Sequence, residues 1–252
     1  MAGNLNIVNQ HLKFKKVFLA ETAKTFYLHI AAEIDHSLFP FFLMTSSKKK
    51  TLIRQAKEWC RQLEIKEDVV SAVVFKASLI PPGTDKFLKE RLEKIQVAKY
   101  DFAILIEVSS SQKLKEVLNS NEYKQVEASI KYVSKRTHFI TATNIKRIDT
   151  VNHQKQGVFL FNYFYADNLL QNLRVWEYTA GWFQQETGLN NSTVLLPQDS
   201  IASKYTIINH CRWDNMMDVL PSLLFKKSFR SYVLDNFYAN KVAAMPILYN
   251  IA

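Results

Sequence analysis

GVFLFNYFY, residues 157–165, is aromatic or aliphatic at almost every position, the composition of a β-strand rather than a helix. Side chains alternate across a strand, so Phe159, Phe161 and Tyr163 fall on one face and Leu160, Asn162 and Phe164 on the other. Both faces are apolar, so both must be covered. Downstream, Asp167 offers an N-cap, and Leu169, Leu170, Leu173, Trp176, Ala180 and Phe183 recur at helical spacing. Gly188 follows where a left-handed C-cap glycine belongs. Ser192–Leu196 and Tyr205–Arg212 read as two strands joined through Pro197 to Ser200. Trp213-Asp214 opens a helical region to about Leu234, which Pro221 is expected to break. Val242–Ile251 is a last apolar strand. The order is β-α-β-β-α-β.

The upstream chain repeats that order. Leu38–Met44 is predicted as a short strand with Pro40 at an edge. Ser46 and Ser47 can cap a helix whose apolar stripe is Leu52, Ile53, Ala56, Trp59, Cys60 and Leu63. Val69–Ile80 is the next strand, followed by an inserted helix from Thr84 to about Val97. Tyr100–Val108 is the third strand, Gln112 to about Ser134 a helical region, and Phe139–Ile148 the fourth strand. Residues 1–36 are left as an N-terminal extension, helical around 17–33, and 149–156 form a polar linker. The expected fold class is therefore α+β, with tandem ferredoxin-like βαββαβ units at 37–150 and 151–252. Their sheets either pack face to face or close into a barrel.

With 48% hydrophobic and 22% charged residues, the 252-residue chain is not a disordered one. Its net charge of +10 is uneven: +5 over residues 1–67, +4 over 68–150 and +1 over 151–252. Such an excess keeps a surface solvated or attracts an anion. Lys48-Lys49-Lys50 before a helix N-terminus faces the positive end of the helix dipole, which leaves room for an anionic partner. No nucleic-acid reading motif accompanies the charge, so nucleic acid is not the expected partner. Cys60 and Cys211 lack the spacing of a zinc site, and no metal is expected. The apolar run after Lys13, Lys15 and Lys16 stops at Glu21, too short for a signal-peptide core. Leu38–Met44 is far short of the roughly 20 residues that span a bilayer. A cytoplasmic protein without a membrane partner is expected.

The C-terminal half resembles the dimeric α/β-barrel superfamily, in particular antibiotic-biosynthesis monooxygenase-type domains. The resemblance rests on the strand Phe159-Leu160-Phe161-Asn162, the helix ending Glu186-Thr187-Gly188-Leu189, and the strand running into Trp213-Asp214. Tyr100 to Ile148 resembles the matching part of stress-responsive barrel domains. The resemblance implies an intrachain pseudo-dimer, and it implies functions ranging from cofactor-free oxygenation of aromatic polyketides to heme degradation to no catalysis. Heme-degrading members use an Asn in the first strand and a Trp and a His in the last helix. Asn162 matches, Trp213 sits at the strand-to-helix junction instead, and no His follows His210. No cofactor is therefore expected.

Fold does not choose among these functions, so the site must. The candidate catalytic residues are Asn162, Arg212 and His210, with Tyr163, Tyr165, Trp176, Trp182, Asn209 and Trp213 as substrate-binding residues. Strand periodicity puts His210 and Arg212 on one face and Asn209, Cys211 and Trp213 on the other. Aromatic walls with a few hydrogen-bonding groups make a small-molecule pocket. In cofactor-independent monooxygenation, Asn and Arg would hold an enolate or phenolate on which Trp stacks. The same aromatics also serve as ordinary core. The alternatives are a non-catalytic interaction or self-association module, which would make a homo-oligomer, and an anion or nucleic-acid binder acting through the basic first 150 residues. His138 is read as a solvated helix end, and His11, His29, His36 and His153 lack metal-ligand spacing.

Overall fold

Eight antiparallel strands close into one barrel, the fourth in chain order pairing back onto the first. The computed structural model describes residues 5–35, 38–81, 86–199 and 203–252. The strands are β1 (Phe26–Glu33), β2 (Val69–Leu79), β3 (Phe102–Val108), β4 (Arg136–Arg147), β5 (Val158–Ala166), β6 (Thr193–Pro197), β7 (Ile207–Trp213) and β8 (Val242–Ile251). Helices α1 (Ser47–Glu64), α3 (Ser111–Asn119) and α4 (Asn121–Val133) accompany the first four strands, with a short α2 (Lys86–Glu90). Helices α5 (Leu169–Thr187), α6 (Met216–Phe225) and α7 (Asp235–Ala239) accompany the last four, and a π-helical turn, Phe229–Leu234, leads into α7. The strand quartets β4-β1-β3-β2 and β8-β5-β7-β6 have the same internal order.

Alternation sorts each strand between two environments. Tyr27 and Ala31 of β1 point into the lumen with Phe75, Leu105, Phe159, Phe161 and Tyr163. Leu28, Ile30 and Ala32 point outward under α1, α3 and α4, whereas Leu160 and Phe164 point outward under α5 to α7. An eight-stranded barrel is just wide enough for side chains to fill it, and this one is filled. The helical stripe expected in α1 is buried, with Leu52, Ala56, Trp59, Cys60 and Leu63 all facing the sheet. In α5, Gly188 adopts φ 67 as the left-handed cap, while Asn168 rather than Asp167 caps the start.

The first quartet corrects the N-terminal assignment. Residues 26–33 are not helical but form the first strand, and no helix occurs among residues 5–25. Leu38–Met44 is a loop with isolated bridges from Phe41 to Leu38 and Leu79. The predicted inserted helix shrinks to α2, and its first residues lie outside those described. Pro221 is accommodated inside α6, which ends at Phe225 instead.

Rather than plugging the barrel, the N-terminal segment straps the helices of the second half. Asn6 and Val8 donate backbone N–H groups to Asn240 and Asn236 at 2.9 and 3.0 Å. Val17 is buried with Trp176 and Trp182. The strap crosses α5 at Gly181, where an added Cβ would lie 2.1 Å from the Lys15 carbonyl oxygen. Alanine in a helix interior ordinarily stabilises by up to about 1 kcal/mol. Here Gly181→Ala should instead cost about 1–3 kcal/mol through overpacking. Urea denaturation should show the loss, and limited proteolysis should show faster cleavage within residues 5–20.

Candidate functional site

Asn162 marks the middle of the layer between sheet and helices in the second half. It lies opposite Asn209 on β7 and opposite Pro246 on β8. Two adjoining cavities of about 30 Å³ each meet over it, with Leu160, Phe183, Trp213 and Phe237 as further shared walls. One cavity extends under α5 to Trp176, Thr179, Ser192 and Asn209. The other extends under α6 and the π-helical turn to Val219, Leu223, Phe229 and Val233. A water fills roughly 10–15 Å³ on this measure, so each cavity holds a water or two and no aromatic ring.

The polar groups of this layer are incompletely satisfied. Asn209 Oδ1 accepts from Ser192 Oγ at 2.5 Å, and Trp213 Nε1 donates to Thr187 Oγ1 at 3.0 Å. The Asn162 carbonyl oxygen is buried without a hydrogen-bond partner among the described residues, and both amide atoms of Asn172 are in the same condition. Asn172 lies one turn before Trp176 on α5, on the stripe that continues through Thr179 and Phe183. A buried polar atom left unpaired costs about 1–3 kcal/mol, so Asn162 Oδ1, whose residue lines both cavities, calls for a polar occupant there, whereas Asn172 lines neither. Burial pushes the neighbouring Cys211 thiol up, leaving it un-ionised and no charged acid or base beside Asn162.

The nine predicted residues therefore divide between the two faces of the sheet. Asn162, Asn209, Trp176 and Trp213 come together at the cavities. Trp182 packs among the helices, where its Nε1 donates to Ser228 Oγ at 2.9 Å. Tyr163 is fully buried in the lumen, and Tyr165, partly buried beside that core, donates to Asp167 at 3.2 Å. Arg212 sits at the other barrel end, donating to the Lys155 and Gln156 carbonyls and pairing with Asp214 at 2.8 Å. Its guanidinium thus clamps the segment leading into β5. Sequence inspection missed Phe229 and Val233, because the π-helical turn that presents them has neither cap nor 3.6-residue period, and Phe237, because α7 is only five residues long and has no side-chain cap.

Three histidines, His29, His138 and His210, are buried in the lumen, and His153, partly buried at its mouth, pairs with His210, which corrects the solvated placement of His138. His210 Nδ1 donates to the Leu160 carbonyl at 3.0 Å, so in the neutral ring its Nε2 accepts from His153 Nε2 at 2.8 Å. The His210 ring stacks on Phe161 with centroids 4.2 Å apart. His29 contacts Tyr163 Oη at 3.4 Å and lies edge-on to His138. Desolvation is the leading cause that lowers all four pKa values: His29 to about 3, His138 and His153 to about 4, and His210 well below 6.5. Neighbouring histidines add to the shifts of His29 and His210, and Lys204 to that of His138. No group of three or more metal-ligating residues exists among the described residues.

An open groove of about 1160 Å³ along α1 is lined largely by Lys50, Arg54, Lys57, Glu58, Arg61 and Gln62. That lining is for the most part a solvated helix face, with Arg61 bonded to Glu58, over the buried Trp59 and Cys60.

No family model and no curated protein matches the sequence. Among solved structures, the chain is similar to an anthrone oxidase-like protein, with TM-score 0.62, 10% identity, and coverage of 90% of this chain and 91% of that one. It is also similar to a candidate monooxygenase of Fusobacterium nucleatum subsp. nucleatum, with TM-score 0.56, 9% identity, and 91% and 93% coverage. The fold is that of the ferredoxin-like dimeric α/β barrels.

Proposed function

We propose that the layer over Asn162 binds a flat aromatic small molecule and that the protein is a cofactor-independent oxygenase of the dimeric α/β-barrel type. The single observation that carries this reading is the unpaired, buried side-chain oxygen of Asn162, a residue that lines two aromatic-walled cavities. The two halves divide between residues 150 and 157 and act as an intrachain pair, with β1 belonging to the first. The anthrone oxidase-like neighbour suggests the substrate class, a polycyclic phenol with an acidic methylene. Conversion of that methylene to a carbonyl consumes one O₂: one oxygen atom enters the product, the other leaves as water, and the substrate supplies all four electrons. The unpaired Asn162 Oδ1 would accept from a phenol hydroxyl of the substrate while Nδ2 would donate to its oxyanion, and Trp176 and Trp213 would flank the ring. Without an ionisable base nearby, the substrate must be acidic enough to enter as its anion. His210 and Arg212, on the opposite sheet face, take positioning roles in this proposal. The cavities are smaller than a ring, so α6 and the π-helical turn must move outward on binding.

Asn162→Leu separates this reading from ordinary packing. Removing an unpaired buried amide should raise stability by about 1–2 kcal/mol in urea denaturation, while binding and turnover of anthrone-type compounds vanish. Trp fluorescence during titration of the wild-type protein should report the ligand. If wild-type protein shows neither a thermal shift nor a fluorescence change with any such compound, the reading fails.

A further inference from the structure

The loop that follows β1 shows its apolar residues to solvent rather than to a strand partner. Leu38, Phe39, Phe41, Leu43 and Met44 are 59%, 69%, 49%, 70% and 57% exposed. The loop is nonetheless held in place: Phe42 is buried against Phe87 and Leu88, Phe42 N–H donates to Ser78 O, and Ile80 N–H donates to Pro40 O at 2.8 Å. Five large apolar side chains on an anchored loop form a patch of the kind that marks an interaction surface.

The surroundings of the loop are basic. The ends of β1 and β2 and the starts of β3 and β4 lie at this end of the barrel. Exposed Lys48 and Lys50 follow in α1, and Lys48 Nζ reaches the Val133 carbonyl beside Lys135 and Arg136. On the other flank, Lys86 and Lys89 are exposed on α2, beside the exposed acids Glu90 and Glu93. Among the other acids here, Asp35 is nearly buried and accepts Ser46 N–H, and Glu33 faces Arg136 at 3.8 Å.

We infer that this barrel end docks on an anionic lipid surface, with the 38–44 loop entering the interface and the lysines meeting the headgroups. Apolar insertion and juxtaposed basic charge together are what reversible interfacial anchoring needs, since either alone is weak. The earlier expectation of no membrane partner rested on the lack of a spanning segment. No described helix is long and apolar enough to cross a membrane, and interfacial docking requires none. Pro81, the residue after the Ile80 that the loop holds, walls one of the cavities over Asn162, so the docked end adjoins the proposed site, while vesicle binding is read without reference to the proposed chemistry.

Flotation of the full chain with phosphatidylcholine vesicles, with and without phosphatidylglycerol, tests it. Binding should appear only with phosphatidylglycerol and weaken with salt. Phe39→Ser/Leu43→Ser and Lys48→Glu/Lys50→Glu should each reduce partitioning by about tenfold or more, with melting temperatures unchanged. Absence of vesicle binding, or binding indifferent to both double variants, overturns the inference. So does a wild-type dimer in sedimentation velocity that the apolar variant dissociates while vesicles remain unbound, because a second copy then covers the face. Preferential binding of a labelled oligonucleotide, sensitive to the lysine variant alone, overturns it in favour of nucleic acid.

Discussion

Acidification from pH 6.5 to 4 should unfold the protein with an uptake of about four protons, read from the slope of stability against pH. Four histidines are held neutral, His29, His138 and His210 buried in the lumen and His153 partly buried at its mouth, with desolvation lowering His138 and His153 to about 4 and His29 to about 3. In the unfolded chain each would titrate near 6.5. A base whose folded pKa is depressed contributes its full stability above the unfolded pKa and loses it as pH falls toward the folded one. Each histidine then costs about 1.4 kcal/mol per pH unit, or roughly 5 kcal/mol per unit for all four. Typical domain stability of about 5–15 kcal/mol is exhausted within one to three units. Urea denaturation at pH 7, 6 and 5 measures this directly. His153→Gln should flatten the slope by one proton. A curve that stays level between pH 6.5 and 5 would show that these rings reach their protons without unfolding.

The lumen also shows where sequence legibility stops. Residues 157–165 announce β5 because Phe and Tyr fill both parities, and α5 announces itself through a periodic stripe ending at Gly188. Residues 26–33 do not, because the lumen there demands small or polar side chains. His29 and Ala31 face in beside Ala32 and Glu33, a local composition that reads as helix. The apolar run Leu38–Met44 then looks like the missing strand although its side chains face solvent. His138 is ambiguous for the same reason: nothing local says that the strand after Arg136 wraps around a closed barrel. At the site, alternation separated Asn209 from His210 and Arg212 correctly. Only tertiary structure tells which face carries the cavity, because both faces are covered. The cavity wall from the π-helical turn was invisible in any periodic reading.

Lys49→Met should destabilise the protein by about 3–5 kcal/mol, the cost of breaking a buried ion pair by removing one partner. The lysine triplet at the start of α1 conceals this pair: Lys48 and Lys50 are exposed, whereas Lys49 is fully buried with Nζ 2.6 Å from Asp101 Oδ2. The anion that the triplet invites is, for its middle member, supplied from within the chain. Asp101 also accepts the backbone N–H groups of Ile34 and Asp35 at 2.7 and 3.1 Å, and its own backbone links to Ala32 and Ala77. Asp101 thus ties α1 to the end of β1 through its carboxylate and the end of β2 to the start of β3 through its backbone. Methionine fills the lysine volume but leaves the charge with two amides and no cation. Asp101→Asn strands the ammonium instead, so it should cost a similar amount. The double variant should cost clearly less than the sum of the two, by at least about 1 kcal/mol, since neither buried charge then remains. Urea denaturation of the three variants completes the cycle. A Lys49→Met penalty below about 1 kcal/mol, or strict additivity, would mean that water reaches Asp101 and that the pair does not tie this barrel end together.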